Sequence, residues 1–587
     1  MNYNLNDISE KQEKVSSLKA LRKLLQLITE ERRNLLLAVI AILVNSGINL
    51  SGPFIVGHVI DTYVVHKDFH GVLVWAGILL AMYLVGFVAS YMQSRMMGGV
   101  GQRMLFKLRN TIFNKLQELP VAFFNQNKAG DLISRVNNDT DKINQFFSQS
   151  LMQFIGTIVT MTGAGIFLLA INPELGVATL LPGLVIFIIT KLVSPWIKKR
   201  NAESMQRTGG LSAEIQEGLQ NFKVIIAFNR RDYFRDRFEE ANKSNYTSAV
   251  AAGIANNIFI PVYGFFAAAA QLLVLTFGIY LISTGHFSIG LLVSYLAYAV
   301  NFYNPLRQLA ALWANFQVAM AGWDRISYIL SMENNLPVLP ATIVEKSNVA
   351  NMEFNDVSFG YDDGKEILHH VSFALEPGKT YALVGPTGGG KTTTASLIAR
   401  LYDPTKGTVL LDHKDIRSYQ PEERTKKIGF ILQDPFLFSG TVRENILYGN
   451  EQYVGYSNEQ LETTIKDAGL ESILSIFEKG LDTELSSGGD SISLGQKQLI
   501  AFMRAVLRNP ALLILDEATA NIDTITEQIL QDILNKLPET TTRVIIAHRL
   551  NTIQNADEIF FVNAGEVIRA GSFEDAVKML LQGERHS

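Results

Sequence analysis

The first 325 residues repeat one pattern: an apolar run closed by a polar or basic segment. The runs cover roughly residues 35–60, 71–93, 145–171, 174–195, 248–282 and 286–316. Each reaches the roughly 20 helical residues needed to cross a hydrocarbon core of about 30 Å. A buried soluble helix accounts for one such run; six in succession predict six membrane-spanning helices. The segments 95–142 and 198–243 keep a helical apolar rhythm, so the spanning helices are expected to continue well beyond the bilayer. After Ser331 the pattern changes. SMENNLPVLPATIVEKSNVANMEF is polar with two prolines and reads as a linker. From about residue 350, strand-like runs (TVLLD, VIIAH, IFFVN) alternate with helical ones, as in an α/β domain.

Charge orients this scheme. Segments 95–142 and 198–243 hold 8 and 10 Lys/Arg and the first 33 residues hold 7, whereas the links 61–70, 171–174 and 283–288 hold only Lys67. The excess of cations marks the cytoplasmic side, so both termini and the long loops are expected there. Leu18–Arg33 (LKALRKLLQLITEERR) predicts an amphipathic helix along the inner membrane surface, with a plain solvated helix as the alternative. The expected division is 1–33, a cytoplasmic segment with an interfacial helix; 34–325, the membrane domain; 326–349, a linker; and 350–587, a soluble domain.

Composition narrows the chemistry. At 587 residues the chain exceeds one core. A mean hydropathy of +0.14 is high for a soluble enzyme. A net charge of −4 gives no reason to expect nucleic acid binding. The absence of cysteine excludes disulfides, thiolate metal sites and cysteine nucleophiles. The polar start, MNYNLNDISEKQEKVSS, lacks the apolar core of a signal peptide.

Within the soluble domain, Tyr381-Ala-Leu-Val384 reads as a strand entering Gly385-Pro386-Thr387-Gly388-Gly389-Gly390-Lys391-Thr392-Thr393 and then a helix. Such a loop turns backbone N–H groups toward a polyphosphate, and the helix adds its positive end. Lys391 is placed to reach the β- and γ-phosphates, and Thr392 to ligate Mg²⁺. A second apolar run, Ala511 to Leu515, ends in Asp516-Glu517: the first suits Mg²⁺, the second a general base on the attacking water. His548 and Gln433 follow further apolar runs, where His548 suits contact with the γ-phosphate and Gln433 suits both metal and water. Tyr361 precedes the turn Asp362-Asp-Gly364 and suits stacking on an adenine ring.

Together these motifs resemble the ATP-binding cassette exporters of the half-transporter kind, over nearly the whole chain. Walker A is GPTGGGKT, the Q-loop ILQDPFLFSGTVRENI, Walker B LLILDE, the D-loop ATANID (ending in Asp523) and the H-loop IIAHRLNTI. The resemblance implies the type I exporter fold: an all-α six-helix membrane domain fused to a cytoplasmic α/β P-loop ATPase domain that uses ATP and Mg²⁺. Phe123-Phe124 with Gly130–Arg135, and Glu217–Phe228, are similar to the family's two coupling regions, with Asn221 where glycine is usual.

One departure bears on assembly. The signature LSGGQ reads Ile492-Ser493-Leu494-Gly495-Gln496, and Ser487 stands where a glutamate is usual just upstream. In the family this loop closes over ATP held by the other subunit. Leucine adds bulk where backbone must approach closely and lacks glycine's freedom of φ. Lys391, Asp516, Glu517 and His548 are intact. The resemblance therefore implies a heterodimer with a second half-transporter carrying an intact LSGGQ; a homodimer tolerating Leu494 twice is the alternative.

Asn45, Asn49, Asn256, Asn257, Gln271, Asn301, Asn304, Arg307 and Gln308 fall in or near the apolar runs. A wide, mostly apolar cavity with scattered amides suits hydrophobic or amphipathic cargo; interhelical hydrogen bonding without a cargo role is the competing reading. The expected function is ATP-driven export of drugs or lipids across a bacterial-type plasma membrane. A peptide exporter, or an ATP-gated channel or sensor of the same fold, are the alternatives.

Overall fold

The computed structural model describes residues 3–5, 31–334, 336–340, 351–361, 365–489, 491–516, 523–546, 554–571 and 573–583, with the side chains at 307, 310, 487, 524 and 580–583 set aside. Leu18 to Glu30, Asp362 to Gly364, Glu517 and His548 thus lie outside the described residues. The chain forms two compact units. One holds the described residues of Gln12–Gln117 and Gly130–Ser331; the other holds those of Met1–Lys11, Glu118–Ala129 and Met332–Ser587.

The first unit is helical, as long apolar runs demand where no water is present to satisfy backbone groups. Along the chain come α1 (Arg32–Val59), α2 (Phe69–Glu118), α3 (Val121–Gln126, in the other unit), α4 (Ala129–Ser134), α5 (Thr140–Gln145), α6 (Leu151–Ile171), α7 (Pro173–Gln220), α8 (Phe222–Ala227), α9 (Arg231–Asn257), α10 (Phe259–Ser283) and α11 (Ile289–Ser331). α2 has 50 residues, about 75 Å at 1.5 Å per residue, so the helices do run far past a hydrocarbon core. Among the described residues, five helical stretches are long and apolar enough to cross a membrane: Arg32–Val64, Phe69–Glu118, Ala129–Ile171, Pro173–Gln220 and Arg231–Ser283. The sixth expected span lies in α11, which is not among these five.

Local chemistry sets the reversals. Asn172 caps α7 through its side-chain oxygen, which accepts from the Leu175 N–H at 3.0 Å, and Pro173 occupies the first helical position. Asp61 does the same for α11 from a distance, accepting from Gly290 N–H at 2.8 Å and Ser288 Oγ at 2.5 Å. α1 and α11 meet backbone to backbone there. A Cβ on Gly290 would stand 2.1 Å from the Gly57 carbonyl oxygen.

α11 is pinned to three neighbours by tyrosine hydroxyls that donate to main-chain carbonyls. Tyr295 reaches Leu168 O at 2.7 Å, Tyr298 reaches Leu50 O at 2.6 Å and Tyr303 reaches Thr179 O at 2.6 Å. Further along, Arg325 grips the buried Asp139 carboxylate with two bonds of 2.7 and 2.5 Å. Asn221 closes α7 at φ −100°, a conformation open to any residue, so the missing glycine costs nothing there.

The second unit carries two sheets. β2 (Leu368–Leu375), β1 (Met352–Phe359), β4 (Lys406–Leu411) and β5 (Lys414–Asp415) form an antiparallel sheet in that order. The six-stranded sheet runs β12 (Glu566–Arg569), β11 (Glu558–Asn563), β3 (Thr380–Val384), β10 (Thr542–Ile546), β9 (Leu512–Asp516) and β6 (Ile428–Ile431), parallel except for β12. β7 (Gly440–Thr441) and β8 (Glu484–Leu485) pair separately. One apolar core joins both sheets through Phe354, Val371, Leu383, Ile398, Ile514 and Ile546. The central strands are buried on both faces, which is why they read as continuous apolar runs.

An unexpected strap joins this unit. Tyr3 is 2% exposed, its N–H donates to Gln126 Oε1 at 2.6 Å, and its carbonyl accepts from Asn127 Nδ2 at 2.9 Å.

Removing one cation from a buried pair costs about 3–5 kcal/mol when burial is complete, and less at the half-exposed Arg325, since Lys142 Nζ still reaches Asp139 Oδ1 at 3.3 Å. Arg325→Ala is therefore expected to lower the detergent-solubilised melting temperature by several degrees. The double change Asp139→Asn with Arg325→Met should recover most of it, both measured by thermal unfolding.

Candidate functional site

Parallel register decides which residues meet. β10 pairs Ile546 with Leu383 on one side and with Asp516 on the other, and β6 pairs Ile431 with Leu515. The C-terminal ends of β3, β10, β9 and β6 therefore share one edge. This is where α/β sheets bind ligands. The phosphate loop leaves β3, Asp516 ends β9, and Gln433 follows β6 by two residues.

The loop is held by close backbone contacts. Gly385 has φ +147°, and a Cβ there would lie 2.0 Å from the Val562 carbonyl oxygen of β11. Gly390 has φ +114° at the start of α12 (Lys391–Ile398). Only glycine fits both positions. Lys391 is buried, and its Nζ donates to the Gly385 and Pro386 carbonyls at 2.8 and 3.0 Å. Thr392 Oγ1 and Asp516 Oδ1 stand 3.5 Å apart, and Asp516 is 3% exposed. A hydroxyl and a buried carboxylate at that separation fit a shared divalent cation. A cleft of about 210 Å³ opens here, lined by Ile367, Thr387, Gly388, Gly390 and Lys391–Thr393.

Tyr361 sits beside this cleft. Its hydroxyl and that of Thr393 share a hydrogen bond of 3.1 Å, and its ring stands edge-on to Phe359 and Tyr402, each 5.0 Å away. The Tyr402 hydroxyl accepts from Asn125 Nδ2 of α3 at 2.7 Å, and burial raises the Tyr402 phenol. Gln433 is exposed, and its carbonyl accepts from Gln498 Nε2 at 3.4 Å.

The signature segment opens α13 (Leu494–Val506). Ser493 caps it, accepting from the Gln496 N–H at 3.2 Å, while Gln496 Oε1 accepts from the Ser493 N–H at 2.9 Å. Leu494 is the first helical residue and has no positive φ, so the expected loss of glycine's φ freedom does not arise at 494. Gly495 is the tight position: a Cβ there would lie 3.0 Å from Thr526 Oγ1 and 3.3 Å from Asp523 Oδ2. Asp523 caps α14 (Thr524–Lys536) through Thr526, whose hydroxyl and N–H hold its carboxyl below the usual range. The spacing from Asp523 to Thr526 carried that capping signal.

Residues 35–306 match the family model of the ABC transporter transmembrane region, and residues 368–520 match that of the ABC transporter itself. An uncharacterized ABC transporter ATP-binding protein of Bacillus subtilis, YfiC, is 35% identical over 562 residues, 95% of this chain and 92% of that one. This chain is an ABC exporter. A fatty acid ABC transporter ATP-binding/permease protein of Mycobacterium tuberculosis is 31% identical over 505 residues, 86% of this chain and 79% of that one. A multidrug resistance ABC transporter ATP-binding and permease protein of Lactococcus lactis is 29% identical over 505 residues, 85% of this chain and 84% of that one. A solved bacterial Atm1-family ABC exporter with ATP bound shares the fold at a TM-score of 0.78 and 24% identity, over 94% of this chain and 98% of that one. The exporter's activity is ATP hydrolysis coupled to transport.

The helical unit of the exporter carries an open cavity of about 1070 Å³. Its lining corrects the expectation of a mostly apolar chamber. Of the residues singled out in the sequence, Asn45, Asn49, Asn301, Asn304 and Gln308 line it. Asn256 instead exchanges two hydrogen bonds with Asn201, at 2.9 and 3.0 Å, and Asn257 bonds its own helix at Gly253 O. Sequence reasoning missed Gln93, Gln102, Asn144, Gln145, Gln149 and Gln153, which also line the cavity. The signal available was the spacing Gln145, Gln149, Gln153, one helical face at every fourth residue.

Gly385→Ala is expected to fail at the phosphate loop, because the new methyl meets a main-chain carbonyl that cannot swing aside. ATP affinity should fall more than about tenfold, read by nucleotide titration of the purified exporter.

Proposed function

We propose that this exporter is one half of a heterodimer that uses ATP to move amphipathic small molecules out across the plasma membrane. The observation that carries the reading is the shared sheet edge that gathers the phosphate loop, Thr392 and Asp516, on a chain that also spans the membrane. The relatives named for multidrug resistance and for fatty acids support a cargo with an apolar part. α11 is taken as the sixth span and both termini as cytoplasmic, on the apolar run in α11 and the placement of Lys and Arg.

In this reading the N–H groups of residues 385–393 and the Lys391 ammonium cradle the phosphates, and Tyr361 stacks on adenine. Thr392, Asp516 and Gln433 hold Mg²⁺, which would neutralise phosphate charge when bound. Glu517 takes a proton from the attacking water as its oxygen bonds to the γ-phosphorus and the bond to the β–γ bridging oxygen breaks. His548 contacts the γ-phosphate. Closure of two nucleotide domains around ATP must favour the outward-turned state by several kcal/mol to shift the population usefully, and hydrolysis resets it.

Pairing with a second chain is supported by α8, which leaves Phe222, Val224, Ile226 and the adjoining Phe228 exposed at 54%, 54%, 44% and 74%. These exposed apolar side chains, spread around the short helix, need a cover. That the partner differs rests on the leucine side chain at 494, offered to the partner's ATP with Ser493, Gly495 and Gln496. The unstrained helical backbone at Leu494 favours the second reading, a homodimer that tolerates it in both sites.

Glu517→Gln should cut ATP turnover to below about a tenth of wild type while ATP still binds; residual turnover above that level removes Glu517 as the base. Leu494→Gly tests the assembly through the same assay. It should leave the main hydrolytic rate within about twofold in a heterodimer and raise it severalfold in a homodimer.

A further inference from the structure

The cavity of the helical unit joins many hydrogen-bonding groups with an absence of charge. α1 contributes Asn45 and Asn49, and α2 contributes Gln93 and Gln102. The stretch from α5 into α6 adds Asn144, Gln145, Gln149 and Gln153, and α11 adds Asn301, Asn304 and Gln308. Serine and threonine hydroxyls, among them Ser90, Ser94 and Thr157, fill the spaces between. Among the described residues no Asp, Glu, Lys or Arg lines it.

Interhelical bonding does not account for these amides. Among the described residues Asn301 alone of the eleven uses its side chain in a hydrogen bond, a long one of 3.3 Å to Asn49 O. Asn144 Oδ1 is buried with no partner at all. Ser46 and Thr160 exchange one further long contact of 3.4 Å. Seven of the eleven, Gln149 and Gln153 among them, are exposed in this open cavity, so they stand available to a ligand instead of being committed to helix joints. Each amide offers two donors and an acceptor, so a ring of them matches a ligand carrying both kinds of group close together. A charged ligand finds no counter-ion here and would lose its hydration without return.

We propose that the cargo is an uncharged amphiphile whose polar part carries several amide or hydroxyl groups, bound by this amide-lined cavity. The inference rests on the export reading and narrows its cargo. A cavity of about 1070 Å³ takes a molecule at or above the size of ordinary drug-like ligands. A free carboxylate, such as that of a fatty acid, is disfavoured.

The test uses the native complex in inside-out vesicles and four radiolabelled probes. Three share one backbone: N-acetyl-trileucine amide, the free acid N-acetyl-trileucine, and the free amine trileucine amide. Decanoate is the fourth. ATP-dependent uptake of the uncharged form should half-saturate at a concentration at least about tenfold below either charged form. Gln153→Leu on α6 and Gln93→Leu on α2 should each raise that concentration about three- to tenfold, and Gln153→Glu should turn the preference toward the free amine. Preferred uptake of the free acid overturns the proposal and points to a cation such as Arg307, whose side chain is not among those described. Uptake of the neutral form unaltered by all three variants also overturns it. Uptake of decanoate alone would sink the cargo inference and leave export standing. ATP-dependent uptake of none of the four would count against both.

Discussion

The nucleotide half depends on one constraint, the hydrogen-bond register of the parallel strands β3, β10, β9 and β6. Pairing Ile546 opposite both Leu383 and Asp516 brings the loop after β3 level with the acid that ends β9. A one-residue slip in β9 would turn every side chain to the other face and move Asp516 away from Thr392. The strands are apolar on both faces, so burial enforces the register from both sides. Gly385 is then compelled by its distance to Val562 O: the loop folds so tightly on β11 that no side chain fits.

The membrane half answers a different demand. Backbone groups must be satisfied within each helix, and polar side chains need partners or water. α11 meets this with tyrosines whose hydroxyls end on carbonyls of α6, α1 and α7, so its aromatic rings pack while no hydroxyl is stranded. The cavity amides lack protein partners, yet most are exposed in an open space that four helical stretches face, where water satisfies them and the proposed cargo would replace it. Polarity without charge also suits a transporter that must release what it binds, because no ion pair has to be broken on each cycle.

Local signals were legible in the sequence and distributed ones were not. The phosphate loop, the strand before it and the acid at 516 are short patterns whose chemistry demands their spacing. The long helices follow from apolar rhythm continuing through basic segments. The amide lining escaped because Gln93 to Gln153 sit at the margins of apolar runs, where polarity per segment hides polarity per face. The strap from Tyr3 to Asn127 joins residues over 120 apart by bonds from the Tyr3 main chain to the Gln126 and Asn127 side chains, which no periodicity announces. In the sequence, leucine at 494 raises two objections, side-chain bulk and a backbone without glycine's freedom of φ. Its position as first residue of α13 removes the backbone objection and leaves only its side chain to matter.

Under the proposed function each ATP site is split between two chains, and this chain, with exposed apolar side chains at 222–228 and one set of spans, is half a machine. The most direct measurement is the mass of the intact complex extracted from its native membrane in mild detergent. The account predicts one copy of this 65.2 kDa chain with one copy of a different half-transporter whose signature loop reads close to LSGGQ. Two copies of this chain and nothing else would contradict it.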